Sequence, residues 1–140
     1  MDEPWIRQLL TTCELPHEDI TPRHLRHFFV AKEMGQIVGV IGLEVVGRLA
    51  LLRSLAVDPR YRKRGLASQL TTTAEKYAVS LKIKDLYLLT LTVENFFAKR
   101  GYQKIARDSA PPEIQGMAEF QGLCPTSSVC MVKYLRPNPA

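Results

Sequence analysis

Residues 60 to 67 read Arg-Tyr-Arg-Lys-Arg-Gly-Leu-Ala, between the apolar run Leu49–Val57 and a helical pattern that continues to Leu81. Those residue types at that place suit an anion cradle. The first turn of a helix has backbone N–H groups without internal partners, and the helix dipole adds positive potential there. A phosphate satisfies both. Gly65 lets backbone approach a ligand without a Cβ in the way, and Ala67 is nearly as small. Arg60, Arg62, Lys63 and Arg64 add a cationic rim suited to a diphosphate, which points to a nucleotide-like cofactor. A solvated basic turn ahead of a surface helix is the alternative for the same residues. Neither G-x-G-x-x-G nor G-x-x-x-x-G-K-[ST] occurs, which removes the two commonest phosphate loops and leaves R-x-x-G-x-A behind a strand ending Leu-Ala-Val-Asp-Pro.

The run from Leu51 to Ala67 resembles the acyl-CoA-binding motif of the GNAT superfamily of N-acetyltransferases. Leu86–Thr90 and Phe96–Tyr102 look like that family's second cofactor-side strand and its following helix. With Leu123–Ser128 added, residues 35 to 135 are most similar to small amino-acid N-acetyltransferases, including N-acetylglutamate-synthase-type domains and arsenic-resistance N-acetyltransferases. The resemblance implies an α/β fold: a mixed, mostly antiparallel central sheet flanked by helices, with two splayed strands forming an acyl-CoA cleft. It also implies acetyl-CoA as cosubstrate. Leu55, Ala56 and Val57 would meet the pantetheine arm, through main-chain groups at Leu55 and Val57. Arg62, Lys63, Arg64, Gly65, Leu66, Ala67 and Ser68 would hold the diphosphate, and Thr90, Phe96 and Phe97 would belong to the far wall.

The chemistry so implied is direct attack of a substrate amine on the thioester. An amine attacks only when neutral, and reference values near 8 for an α-amino group and about 10.4 for lysine require a proton acceptor. Many family members carry a glutamate on the strand before the cradle, where this chain has Leu51. A two-residue Gly47-Arg48 turn would pair Val46 with Leu49 and Glu44 with Leu51, so Glu44 faces the same side and is the catalytic expectation. A cross-strand ion pair with Arg53 is its competing role. The family's thiolate-protonating tyrosine matches Phe97, which donates nothing; water, Ser127 or Ser128 would have to serve, or the thiolate leaves unaided. Arg53, Arg107 and Ser127 are the expected contacts of an acceptor carboxylate. Leu51 and Phe97 also leave room for a different reading, a non-catalytic acyl-CoA-binding regulatory module.

These residues need an alternating set of elements. Pro4 suits the start of a helix whose Trp5, Ile6, Leu9, Leu10 and Cys13 share a face, ended by Leu15-Pro16. Phe28–Lys32 and Ile37–Val46 read as strands, the second apolar enough to be covered on both faces. Leu49–Val57 follows. After the cradle, Ala67, Leu70, Ala74, Tyr77, Ala78 and Leu81 form one buried stripe. A strand Leu86–Thr92 leads to a short helix capped by Thr92 and stopped at Gly101. A strand Tyr102–Arg107, a helix started by Ser109 with Ile114, Met117, Phe120 and Leu123 on one side, and a final strand Val129–Leu135 complete the pattern. The family's usual N-terminal strand has no room ahead of Pro4; either the chain is shortened or a second protomer of a homodimer covers that sheet edge.

A length of 140 residues and a 46% hydrophobic fraction agree with one soluble domain spanning 1–140. No apolar stretch approaches the roughly 18 residues that cross a bilayer, so no membrane partner and a cytoplasmic location are expected. The formal charge of +5 concentrates in the cradle without aromatic platforms, which argues against nucleic acid. Cys13, Cys124 and Cys130 make an odd set without metal-type spacing and read as reduced thiols; His17, His24 and His27 form no recognised ligand set, so no metal is expected.

Overall fold

The computed structural model describes residues 2–135. The helices are α1 (Glu3–Thr12), α2 (Pro22–Leu25), α3 (Leu66–Ser80), α4 (Glu94–Ala98) and α5 (Pro112–Gln115). The strands are β1 (Phe28–Glu33), β2 (Gln36–Val46), β3 (Leu49–Val57), β4 (Asp85–Thr90), β5 (Gln103–Ile105) and β6 (Val129–Tyr134). They form one mixed sheet in the order β1-β2-β3-β4-β6-β5. The pairs β1/β2, β4/β6 and β5/β6 are antiparallel, and β3/β4 is parallel. The parallel ladder joins Leu49–Leu51 to Asp85–Tyr87. By contacts the chain divides into two units, Met1–Glu44 with Leu52–Ala78, and Val45–Leu51 with Val79–Ala140.

In the first unit, α1 buries Ile6, Leu9 and Leu10, and these pack with Ile20, Val40 and Ala56. Trp5, expected on that face, is 61% exposed. It lies one turn before Leu9 at the margin of the stripe. The helix ends at Thr12, before Leu15-Pro16. Glu14 takes a left-handed φ of +59°, and the amides of Glu14 and Leu15 donate to the carbonyls of Thr11 and Leu10. That double bond pattern satisfies the last carbonyls without proline. β2 buries every residue from Val38 to Leu43. Gly42 stands opposite Phe28, whose ring lies 2.3 Å from where a Cβ at Gly42 would be, so any side chain there would expel the ring. α3 buries Leu70, Thr71, Ala74 and Ala78. Leu81 falls past its end and is exposed.

In the second unit, Leu51, Tyr87, Ala110, Ile114, Met117, Cys130 and Val132 form the core. Several boundaries differ from the sequence expectation. β4 stops at Thr90, and Thr92 caps nothing: the N-cap of α4 is Val93, whose amide donates to Thr90 Oγ1 at 3.2 Å. β5 shrinks to Gln103–Ile105 because Arg107–Ser109 coils into a 3₁₀ turn. Ser109 does not cap α5. Extended Pro111 (φ −60°, ψ 153°) precedes Pro112, whose fixed φ starts the helix instead. The stripe beyond Met117 continues as a π-type turn, Glu119–Leu123, opened at Gly122 (φ +138°).

Candidate functional site

The loop from β3 to α3 is built by local bonds. The Asp58 amide donates to Val38 O at 2.8 Å and fixes the exit of the strand. Asp58 Oδ1 then accepts from the Arg60 amide at 2.9 Å and starts the 3₁₀ turn Pro59–Tyr61. Hydrogen bonds from the Arg60 side chain, with its charge, hold the Asp58 carboxyl below its ordinary value. Lys63 and Gly65 both have positive φ, +66° and +79°, so the backbone curls immediately before α3. Gly65, left-handed beside the helical Leu66 that opens α3, turns successive N–H groups toward one point.

The first bond of α3 runs from the Gln69 amide to Gly65 O at 3.0 Å. The amides of Gly65 through Ser68 therefore precede the helical ladder. No acidic residue occupies the first turn of α3. A Cβ on Gly65 would meet nothing within 4 Å. The space over the loop is open, and the glycine is there for its backbone conformation. The donor set and the open space fit a diphosphate.

The expected cationic rim is partly committed elsewhere. Arg60 folds back on Asp58, and Arg64 lies 5.0 Å over the Tyr61 ring. Arg62 donates through Nε to Val57 O at 3.1 Å and through Nη2 to Cys13 Sγ at 3.6 Å. Lys63 is exposed. The donors this loop leaves open to an anion are thus first its amides. Of the strand residues expected beside the arm, Leu55 is half-buried and Ala56 and Val57 are buried, with the Val57 carbonyl already accepting from Arg62.

Ser54, just before them, has φ +62° inside the strand. A left-handed non-glycine residue in mid-strand interrupts the pleat and re-aims the groups that follow, a strain that clusters at functional sites. Sequence reading missed it, although the polar pair Arg53-Ser54 within an apolar run was a visible irregularity. Ser54 Oγ accepts from Arg53 Nε at 3.1 Å.

Arg53 is the centre of a charged cluster. Its side chain is fully excluded from solvent; Nη1 and Nη2 donate to Asp19 Oδ2 and Oδ1 at 2.6 and 2.8 Å, and Nη1 also reaches Glu44 Oε1 at 3.0 Å. The ion pair named as the competing role of Glu44 is present. Arg53 is therefore engaged where an acceptor carboxylate was expected. Burial raises the Asp19 carboxyl, but the Arg53 hydrogen bonds and charge outweigh it and hold Asp19 below its ordinary value. His24 Nε2 stands 3.8 Å from Glu44 Oε2. Asp19, and the contact of His24 with Glu44, escaped the sequence reading. Their partners lie far along the chain, and nothing in their local spacing signals the contact.

The other expected residues sit in the second unit. Leu51 is in its core and offers no base. Phe97 is buried, edge-on to Phe96 at 5.1 Å and Tyr102 at 5.3 Å. Thr90 is buried and tied to Val93. Arg107 donates to Pro125 O and Phe120 O at 3.1 and 3.3 Å, which fastens the segment before β6. Ser127 is exposed in that segment and Ser128 is buried. Burial pushes the Cys130 thiol up to about 11. Among the described residues no helix is long and apolar enough to cross a membrane.

Comparison with known proteins places the chain by family and fold. An uncharacterised N-acetyltransferase of Chlorobaculum tepidum is 34% identical over 65% of this chain and 59% of its own length. An amino-acid acetyltransferase of Pseudomonas syringae pv. tomato is 29% identical over 74% of this chain and 24% of its own. The chain thus spans about a quarter to three-fifths of these relatives. Among solved structures, N-acetylglutamate synthase from Neisseria gonorrhoeae, complexed with coenzyme A and N-acetyl-glutamate, shares the fold with a TM-score of 0.84 at 23% identity. That match covers 97% of this chain and 33% of the synthase. Rv2747 from Mycobacterium tuberculosis, solved in complex with CoA, matches with a TM-score of 0.82 at 25% identity, covering 96% and 95% of the two chains. The sequence profile described as the Acetyltransferase (GNAT) family matches residues 2–106, three-quarters of the length, and the chain belongs to that family.

Proposed function

We propose that this chain transfers an acetyl group from acetyl-CoA to the amino group of a small molecule by direct attack of the amine. One observation carries the reading: the amides of Gly65–Ser68 open α3 without helical partners, beneath open space and with no first-turn acid. Preformed donors of that kind bind a diphosphate without reorganisation. When bound, the cosubstrate supplies a thioester carbon activated toward amines. The backbone of Leu55–Val57, re-aimed by Ser54, is the edge offered to the arm, and Lys63 and Arg64 lend charge at the rim. Glu44 takes the proton that the amine loses. The leaving thiolate, with an ordinary value of about 8.5, departs without help from Phe97.

The names of the amino-acid acetyltransferases among the relatives support an amino-acid acceptor. Arg53 and Arg107 are both engaged within the chain, so neither supports carboxylate recognition, and Ser127 is the remaining expected contact. The acceptor panel therefore includes amines with and without a carboxylate, and arsenic-containing amino-acid analogues. A second reading, a non-catalytic acyl-CoA-binding module, is favoured by the burial of Leu51 and Phe97, which leaves both places without acid or base. Thiol release from acetyl-CoA across that panel, beside calorimetry of coenzyme A binding, separates the two. Binding with turnover supports the transferase; binding without turnover on any amine supports the module.

A further inference from the structure

His24 has no part in the roles assigned above. It is the third residue of α2, a helix of four residues started by a reciprocal cap. The Thr21 amide donates to His24 Nδ1 at 3.0 Å, and the His24 amide donates to Thr21 Oγ1 at 3.4 Å. A backbone N–H only donates, so Nδ1 presents a lone pair and the neutral ring carries its hydrogen on Nε2. That N–H faces Glu44 Oε2 at 3.8 Å, about 1 Å beyond hydrogen-bond length. Glu44 Oε1 meanwhile accepts from Arg53 at 3.0 Å. The carboxylate is bracketed: a permanent cation on one oxygen, a neutral N–H donor opposite the other.

We propose that His24 is a positioning residue for Glu44, its Nε2–H setting the orientation of the Oε2 edge of that carboxylate. The inference rests on the reading of Glu44 as the proton acceptor. As the new N–C bond forms and the C–S bond breaks, the electron pair leaves on sulfur, and the amine proton passes to Oε2. The charge on Glu44 is then lost. Arg53 keeps its bidentate partner Asp19 through that change, and a neutral donor loses less than a second cation would. The charged and polar groups near the ring are Glu44 on β2, Thr21 in its own turn, and Asp19. A ring free of the cap would rotate its donor away from Oε2; the Thr21 amide bonded to Nδ1 holds it.

The competing role is capping alone, and the two are separable. Glutamine at the third helical position keeps an acceptor for the Thr21 amide. His24→Gln should therefore melt within about 2 °C of the parent. Its kcat with an amine should fall about tenfold while the KM for acetyl-CoA stays unchanged. In a Glu44→Gln background the same change should cost nothing further, because the two residues act as one unit. A second readout needs no turnover: nitrogen NMR of the histidine rings should show His24 with hydrogen on Nε2, and Glu44→Gln should move the Nε2 resonance and leave Nδ1. Parent-level kcat in His24→Gln overturns the proposal. So does hydrogen on Nδ1, or an Nε2 resonance indifferent to Glu44→Gln. Full turnover in Glu44→Gln sinks instead the assignment of Glu44 as proton acceptor, and the Nε2 response then decides alone whether His24 orients that carboxylate.

Discussion

Asp19 clamps Arg53 through two parallel hydrogen bonds, Nη1 to Oδ2 at 2.6 Å and Nη2 to Oδ1 at 2.8 Å. The guanidinium has no contact with solvent, so its charge depends on these oxygens and on Glu44. Removing one partner from a buried pair costs far more than the pair is worth, because the remaining charge is stranded. Asp19→Ala should lower stability by about 3 kcal/mol in urea denaturation. The double variant Asp19→Ala/Arg53→Met should be more stable than Asp19→Ala alone, since it removes a buried cation that has lost its bidentate partner. Equal or lower stability of the double variant contradicts this.

The same clamp sets an acid limit. A carboxyl whose value is lower in the folded chain than in the unfolded one stabilises the fold above the unfolded value. Asp19 is held below its ordinary 3.8, so its contribution is complete above that pH. It is lost as the pH falls from there through the lower folded value. Thermal melting followed from pH 6 to pH 2 should drop more steeply in the parent than in Asp19→Asn over that acid range. Parallel curves would show that Arg53 does not hold the carboxyl down.

Gly65 is expected to be intolerant of side chains for a reason of conformation. Its φ of +79° strains any L residue, and a Cβ would enter the open space assigned to the diphosphate. Gly65→Val should weaken coenzyme A binding at least tenfold, about 1.4 kcal/mol, in calorimetry. Arg62→Ala should weaken it too, through loss of the tie between the loop and Val57 O. Unchanged affinity in both variants would remove the loop from the binding site.

Leu51 stands where the resemblance implied a glutamate, yet placing one there should not create a base. Leu51 is wholly buried against Tyr87, Ile114 and Val132. A carboxylate there lacks partners and water. Leu51→Glu should cost about 3 kcal/mol or more and leave turnover no higher than the parent's. A stable, faster Leu51→Glu would show that this position opens onto the acceptor.

β3 was legible to the residue, Leu49–Val57, because a long apolar run bounded by Gly47-Arg48 and Asp58-Pro59 states both ends locally. The turn into α3 was legible for the same reason: its glycine, its basic residues and the helical stripe that follows are all read from neighbours in sequence. Helix ends were less so. α1 stops two residues short of the expected Leu15-Pro16 breaker because Glu14, not a glycine, takes the left-handed turn. The kink at Ser54 was missed: Arg53-Ser54 breaks the apolar run, but serine has no strong preference for that conformation. The Asp19–Arg53 and His24–Glu44 contacts join segments 34 and 20 residues apart, and only tertiary packing brings them together. Trp5 was misplaced because a helical stripe states an angle and not how far the cover extends.

Backbone amide shifts recorded during titration with coenzyme A test the central claim most directly. The amides of Gly65, Leu66, Ala67 and Ser68 are expected to move furthest, and to move in the same direction but less with 3′,5′-ADP, which lacks the pantetheine arm and the outer phosphate of the diphosphate but keeps the inner one. Coenzyme A binding that leaves these four amides still, or no binding at millimolar concentration, would contradict the assignment of the α3 N-terminus as the diphosphate site.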